Sequence, residues 1–209
     1  MARCRAIFRR LAAAYPDARC ALRHQNPLQL LVATILSAQC TDQRVNLVTP
    51  SLFRRYRTAA DFAAAQPAEL EAMIRTTGFF RNKARSIRKC CNSLVAKYGG
   101  KVPDKLDELI QLDGIGRKTA NVVLGVAYGK AEGIVVDTHV SRLARRMGLT
   151  RQTAPEKIEQ ALMKIVPCQY WIDFSQLLIW HGRNRCTARK PDCVGCEVAD
   201  ICPKVGVRL

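Results

Sequence analysis

The stretch Leu112-Asp113-Gly114-Ile115-Gly116-Arg117-Lys118-Thr119-Ala120-Asn121 decides how this chain is read. It reads as the end of one helix, a tight Gly-x-Gly turn and the start of another helix. Glycines on either side of Ile115 allow φ > 0 and a close approach of another chain. Ile115 between them is placed to plug into a core and anchor the turn. Backbone N–H groups from Gly116 onward open the second helix and have no intrahelical acceptor. With the positive end of the helix dipole they form a seat for a phosphate. Lys118 stands in that first turn, where its amine is placed to act as a nucleophile. Further along, Val136-Asp137-Thr138-His139 ends an apolar run on a carboxylate. Lys118 and Asp137 are the pair read as carrying the chemistry. The plain alternative is a helix–helix turn with a solvated lysine, which for an isolated Gly-x-Gly-x-Lys is the commoner case.

Working outward, the chain has 209 residues, enough to bury a full core in one or two domains. Lys and Arg number 34 against 17 Asp and Glu, a formal charge of +17. Such an excess points first to nucleic acid, with a membrane surface or simple solubility behind it. The basic residues recur along the chain, at Arg3 to Arg10, Arg54 to Arg57, Arg81 to Lys89, Arg142 to Arg146 and Arg183 to Lys190. They form no isolated tail and so decorate a folded surface. No apolar run approaches the length that spans a membrane. The start, Met1 to Phe8, lacks a signal-peptide core and cleavage site. A monomer in the cytoplasm, associated with the nucleoid, is expected. Ten cysteines in that compartment are not a disulfide framework.

The rest of the chain reads as helices. Residues 3–15 alternate basic and apolar residues at helical spacing until Pro16. Asn26 is a good N-cap with Pro27 at the first helical position, and Leu28 to Leu36 is almost wholly apolar, which implies a central helix. Leu36-Ser37-Ala38-Gln39-Cys40-Thr41-Asp42 interrupts that run, and Thr41 or Asp42 can cap the helix that follows through Leu47 and Leu52. Thr58 and Gln66-Pro67 start two short helices. Gly78-Phe79-Phe80 precedes a long basic helix that stops at Gly99-Gly100. Two adjacent phenylalanines cannot both face one side of a helix, so one of them is a candidate to project. Residues 133–136 are apolar and β-branched and could pass for a strand. No partner strand is evident, so they are read as a buried extended connector. Asp137 sits where an N-cap belongs for the helix through Val140, Leu143 and Met147, a role compatible with facing an active site. His139 is read as a core or phosphate contact ahead of a third catalytic group. Helices over 155–166 and 170–181 complete at least nine helical segments. The expected fold class is all-α.

Cys186, Cys193, Cys196 and Cys202 follow a C-x6-C-x2-C-x5-C spacing. Such a cluster in an intracellular chain reads as metal ligands. Zinc is the commoner occupant of four-cysteine sites, but its usual signature has two C-x2-C pairs and only one occurs here. Four thiolates also suit a [4Fe–4S] cluster. The residues alone leave the two open. Arg189 and Lys190 lie in a loop tied at both ends by ligands, where they can meet DNA phosphates. Cys4, Cys20, Cys40, Cys90, Cys91 and Cys168 read as buried or free thiols.

These blocks together resemble the endonuclease III family of DNA glycosylases. Leu112 to Ala120 is similar to its L-P-G-V-G-R-K-T-A pattern, with Asp113 in place of the proline. Val136 to His139 is similar to its V-D-T-H, and Leu36 to Asp42 to its L-S-A-Q-x-T-D. With the cysteine cluster, the blocks stand in the family's order along essentially the whole chain. The resemblance implies a two-lobed helix-hairpin-helix fold: a six-helix domain over 22–130, and an iron–sulfur domain built from 1–21 plus 131–209, with DNA in the cleft between. It implies a [4Fe–4S] cluster on the four cysteines. It implies excision of oxidised pyrimidines, or cleavage at abasic sites, in double-stranded DNA through a Lys118 Schiff base and β-elimination, with Asp137 assisting. In that reading Gln39 enters the duplex, Ser37 and Asp42 line the pocket and Phe79 is a wedge. Gly114, Gly116, Arg117, Thr119 and His139 contact DNA. The rivals are an adenine-specific mismatch glycosylase, which lacks a lysine at the hairpin position, and a non-catalytic helix-hairpin-helix DNA-binding protein, which needs neither Lys118 nor Asp137.

The charge balance sets the first test. Affinity for undamaged duplex DNA falls steeply as salt rises, because neutralised phosphates release condensed counterions. Titrations at low and physiological salt that gave the same affinity would show that the basic surface is not the binding face.

Overall fold

The computed structural model describes residues 2–207; Met1, Arg208 and Leu209, the ends of the expected cluster domain, lie outside the described residues. The described residues form eleven α-helices and no strand. They are α1 (Ala2–Ala14), α2 (Pro27–Leu36), α3 (Asp42–Arg55), α4 (Ala59–Ala64), α5 (Pro67–Ile74), α6 (Phe80–Tyr98), α7 (Leu106–Leu109), α8 (Arg117–Tyr128), α9 (Thr138–Arg146), α10 (Pro155–Met163) and α11 (Trp171–Asn184). The chain divides into two compact units, one of Cys20–Lys130 and one of Met1–Arg19 with Ala131–Leu209.

The Cys20–Lys130 unit is built around α2. Its buried residues include five in succession, Leu30 to Thr34, and then Leu36, so it is apolar all round and packs on α3, α6 and α8. Asn26 caps it by accepting the Gln29 N–H at 2.9 Å, with Pro27 in the first turn. Thr41 is the residue that caps α3, accepting the Arg44 N–H at 3.3 Å. Before α3, the chain is pinned by Asn46, which donates to Ala21 O at 2.8 Å and accepts the Arg23 N–H at 2.9 Å. Thr58 and Asp61 close a reciprocal capping box on α4. The long helix α6 buries Ala84, Ile87, Cys90, Cys91 and Leu94 along one stripe and ends at Gly99 in the left-handed region. Beside six longer helices, α7 is a single turn.

In the other unit α11 packs on α1 and α9, and α10 packs on α9. Its core gathers Ile7 and Leu11 of α1 with Val140 and Leu143 of α9 and Phe174 and Leu178 of α11. Gly182 permits the close approach of α9 and α11: a Cβ there would stand 3.0 Å from the Cβ of His139. Ile134, Val135 and Val136 are buried and belong to no helix or strand. The Val135 N–H finds its acceptor in Ser175 Oγ at 3.0 Å, so this buried donor needs no neighbouring strand.

Two leucines on α3 separate burial from mere helical apolarity, since Leu52 is fully buried and Leu47 is 67% exposed. Leu52→Ala lowers unfolding free energy by about 2–5 kcal/mol, whereas Leu47→Ala changes it by no more than about 0.5 kcal/mol. Urea denaturation of the two variants side by side checks the contrast.

Candidate functional site

The turn before α8 forms because Ile115 is buried in the core of its unit, 5% exposed, and the Ile115 N–H donates to Leu112 O at 3.1 Å. Only one of the two flanking glycines uses its conformational freedom. Gly114 has φ +76, whereas Gly116 has φ −88 and ψ 169, extended geometry open to any residue. A Cβ added at Gly116 would meet nothing within 4 Å, so the space beside it is open. Asp113, in the place of the family's proline, accepts a hydrogen bond from Ser93 Oγ of α6 at 2.8 Å, which ties the turn to the long helix.

Gly116 is the N-cap of α8, and no side chain caps that end. Arg117 and Lys118 are exposed in the first turn and Thr119 is half-buried. The helix thus begins with a cationic side chain beside its N–H groups, an arrangement suited to a phosphate and to a substrate-facing amine.

Two other segments of the same unit carry predicted residues. Ser37 ends α2 and donates to Thr34 O at 2.8 Å. Gln39 follows, exposed, with φ +51. Asp42 is half-buried at the start of α3. Of the two phenylalanines, Phe79 projects: it is 63% exposed with φ +47, while Phe80 is half-buried against the core. Sequence reading missed Lys83, buried in α6 and bonded to the carbonyls that precede these two loops. The available signal was a lysine four residues before Ile87, on the stripe of α6 that faces the core.

In the second unit, Asp137 caps α9, its Oδ1 accepting the Val140 N–H at 2.8 Å, and it is half-buried. His139 is half-buried, its Nδ1 3.2 Å from Arg142 Nη2. Burial pushes the His139 imidazole below its ordinary pKa, Asp137 opposes that and Arg142 adds to it.

The four cysteines line one hollow together with Arg146, Met147, His181 and Val198, and all four are free thiols. Burial raises the Cys196 and Cys202 thiols, and neighbouring cysteines, Cys186 among them, raise them further. Thiols brought together without pairing need a soft cation or cluster to hold them as thiolates. The surroundings suit the negative charge that results. Arg146 Nη1 donates to Cys186 Sγ at 3.4 Å, and Arg142 Nη2 donates to Cys186 O at 3.1 Å. His181, fully buried, places Nε2 3.5 Å from Cys196 Sγ while Nδ1 meets the Tyr15 hydroxyl at 3.0 Å. The donor set and its hydrogen-bonding neighbours therefore fit a four-thiolate cluster. Arg142, Arg146 and His181 were not singled out from sequence, because helical basic residues give no sign of which carbonyl they will reach. Arg189 and Lys190 are exposed on the loop between Cys186 and Cys193. That loop is braced by Arg146, which donates to Thr187 O at 2.7 Å and Ala188 O at 2.8 Å.

Residues 32–168 match the HhH-GPD superfamily of base excision DNA repair proteins, and residues 186–202 match the iron–sulfur binding domain of endonuclease III. Endonuclease III of Synechocystis sp. is 53% identical over 189 residues, 90% of this chain and 86% of that protein. An endonuclease III solved in a non-covalent DNA complex superposes with a TM-score of 0.91 at 46% identity, covering 96% of this chain and 94% of that one. A trapped covalent endonuclease III–DNA intermediate matches with the same TM-score, 0.91, identity, 46%, and coverage, 96% and 94%. Neither the mismatch glycosylase nor the non-catalytic module is favoured beside these matches. The iron–sulfur assignment removes the choice that the cysteine spacing left between zinc and iron. The chain belongs to the HhH-GPD superfamily of base excision DNA repair proteins and, within it, to the endonuclease III family of DNA glycosylase/lyases.

Proposed function

We propose that this glycosylase/lyase acts on oxidised pyrimidines and abasic sites in double-stranded DNA, with Lys118 as nucleophile and Asp137 as its carboxylate partner. It works as a monomer in the cytoplasm on the chromosome. The observation that carries the reading is an exposed lysine in the uncapped first turn of α8, in a chain 46% identical to a protein trapped covalently on DNA. A base cannot be attacked inside the stack, so the nucleotide is first extruded. The neutral Lys118 amine attacks C1′, the glycosidic C–N bond breaks and the base departs with a proton. The sugar ring opens as the C1′–N bond becomes an iminium. Loss of a C2′ proton then expels the 3′ phosphate by β-elimination, and water releases the enzyme. Asp137 stabilises the cationic sugar as the base leaves and helps take the proton from the lysine. Asp137, half-buried and fixed by its cap bond, suits that role. The net charge of +17 and the hairpin amides hold the phosphates. Gly114, Gly116, Arg117, Thr119, His139, Arg189 and Lys190 are proposed DNA contacts, and Ser37 and Asp42 proposed pocket residues. The iron–sulfur cluster on Cys186, Cys193, Cys196 and Cys202 supplies the thiolate–iron bonds that hold the Arg189–Lys190 loop in place.

Three outcomes test this reading. Lys118→Ala lowers base release by more than about 10³-fold and abolishes borohydride trapping on abasic DNA, while salt-sensitive duplex binding persists. A variant that still traps would move the nucleophile elsewhere. For Asp137, capping and catalysis separate by substitution. Asn caps a helix as well as Asp does, so Asp137→Asn leaves thermal stability close to the parent and still loses activity. Asp137→Ala loses activity and about 0.5–2 kcal/mol of stability. Full activity in Asp137→Asn would reduce the residue to a cap. For the tail, purified protein is yellow-brown with about four irons per chain, and Cys196→Ser lowers solubility and DNA affinity together. Colourless, fully active protein carrying one zinc would contradict the cluster.

A further inference from the structure

Lys83 lies on the buried stripe of α6 and is 5% exposed. Its ammonium donates to Leu36 O at 2.8 Å and to Thr77 O at 2.7 Å. No carboxylate pairs with it among the described residues. Burial pushes its pKa below the ordinary lysine value, and the Cys40 thiol acts the other way. A charge kept in the core on two carbonyls alone is a costly way to hold helices together. The placement of those carbonyls explains what it does. Leu36 is the last residue of α2, directly before Ser37-Ala38-Gln39. Thr77 directly precedes Gly78-Phe79. The backbone N–H of Lys83 also donates to Phe79 O at 3.0 Å, so the residue grips the second loop from both sides.

The two loops share a second property. Among the described residues, Gln39 with φ +51 and Phe79 with φ +47 are two of three non-glycine positions in the left-handed region. That backbone is uncommon for any side chain and strained for a bulky one. It persists where the surroundings hold it, and such positions gather at sites of function. Both side chains are exposed, one polar and one apolar.

We propose that Lys83 is a positioning residue whose buried ammonium ties the Gln39 loop to the Phe79 loop, setting both side chains for entry into the DNA stack. The proposal rests on the reading of this chain as a duplex-acting glycosylase/lyase. It assigns the pair of loops one shared anchor. Insertion between bases then draws on a preformed geometry, because the strained backbone is set before DNA arrives. Losing the anchor harms the extrusion step and spares the chemistry at Lys118, since an abasic site in single-stranded DNA needs no unstacking.

The test compares strand cleavage at an abasic site in duplex and in single-stranded DNA, for the holo parent, Lys83→Met and Lys83→Gln, after circular dichroism has shown which variants fold. The duplex rate of a folded variant falls about 10- to 100-fold, the scale of a roughly 1 Å misplacement, and the single-strand rate stays within about twofold of the parent. In parallel, 2-aminopurine opposite the abasic site brightens less with the variant than with the parent. An unchanged ratio of duplex to single-strand rates in a folded variant overturns the proposal. So does failure of both variants to fold, which would make Lys83 a support of the whole unit. A parent that cuts neither substrate would instead refute the glycosylase/lyase reading.

Discussion

The burial of Ile115 is the contact on which the candidate chemistry depends. With that side chain in the core, the turn around it is fixed relative to the rest of its unit. Gly114 reverses the chain in a conformation other residues adopt at a cost, and α8 then starts at Gly116. No side chain occupies the helix end, so its amides remain directed outward, with Lys118 exposed one residue into the helix. A capping serine at Gly116 would satisfy one of those donors internally. The turn is thus anchored from inside so that its outer face can stay chemically unsatisfied.

The second unit solves a related problem with a short helix. Asp137 caps the first turn of α9, and Arg142 and Arg146, from its middle and end, hold the carbonyls and one thiol of the cysteine loop. One nine-residue helix therefore links the candidate catalytic carboxylate to the iron–sulfur tail. The tail has little apolar substance of its own. Val198 is fully buried, but Val194 is 98% and Val205 55% exposed. Arginine-to-carbonyl contacts brace the tail, and thiolate–metal bonds would add to them with the cluster bound.

Much of the fold was legible because local rules and tertiary packing agree. Asn26-Pro27, Thr58, Gln66-Pro67 and Gly99 mark helix ends through capping chemistry that acts within a few residues. The all-apolar run of α2 announced a central helix for the same reason. Residues 133–136 were separable from a strand only by the absence of a partner, and Ser175, forty residues on, supplies the acceptor that makes this possible. What could not be read depends on distance along the chain. Lys83 reaches a carbonyl 47 residues away, and Arg146 reaches one 41 residues away. Two glycines in a turn look alike in sequence, and only the backbone distinguishes φ +76 at Gly114 from φ −88 at Gly116. The choice between iron and zinc at four cysteines turned on likeness to relatives, since spacing alone constrains loops rather than the ion.

The central claim is that the amine of Lys118 forms the covalent bond to DNA. The most direct measurement is proteolysis and mass spectrometry of the parent protein after borohydride reduction on abasic duplex, which locates the attached sugar residue by residue. The account predicts the adduct on Lys118, within the peptide that follows the Gly114-Ile115-Gly116 turn. An adduct on the N-terminal amine or on any other lysine would contradict it.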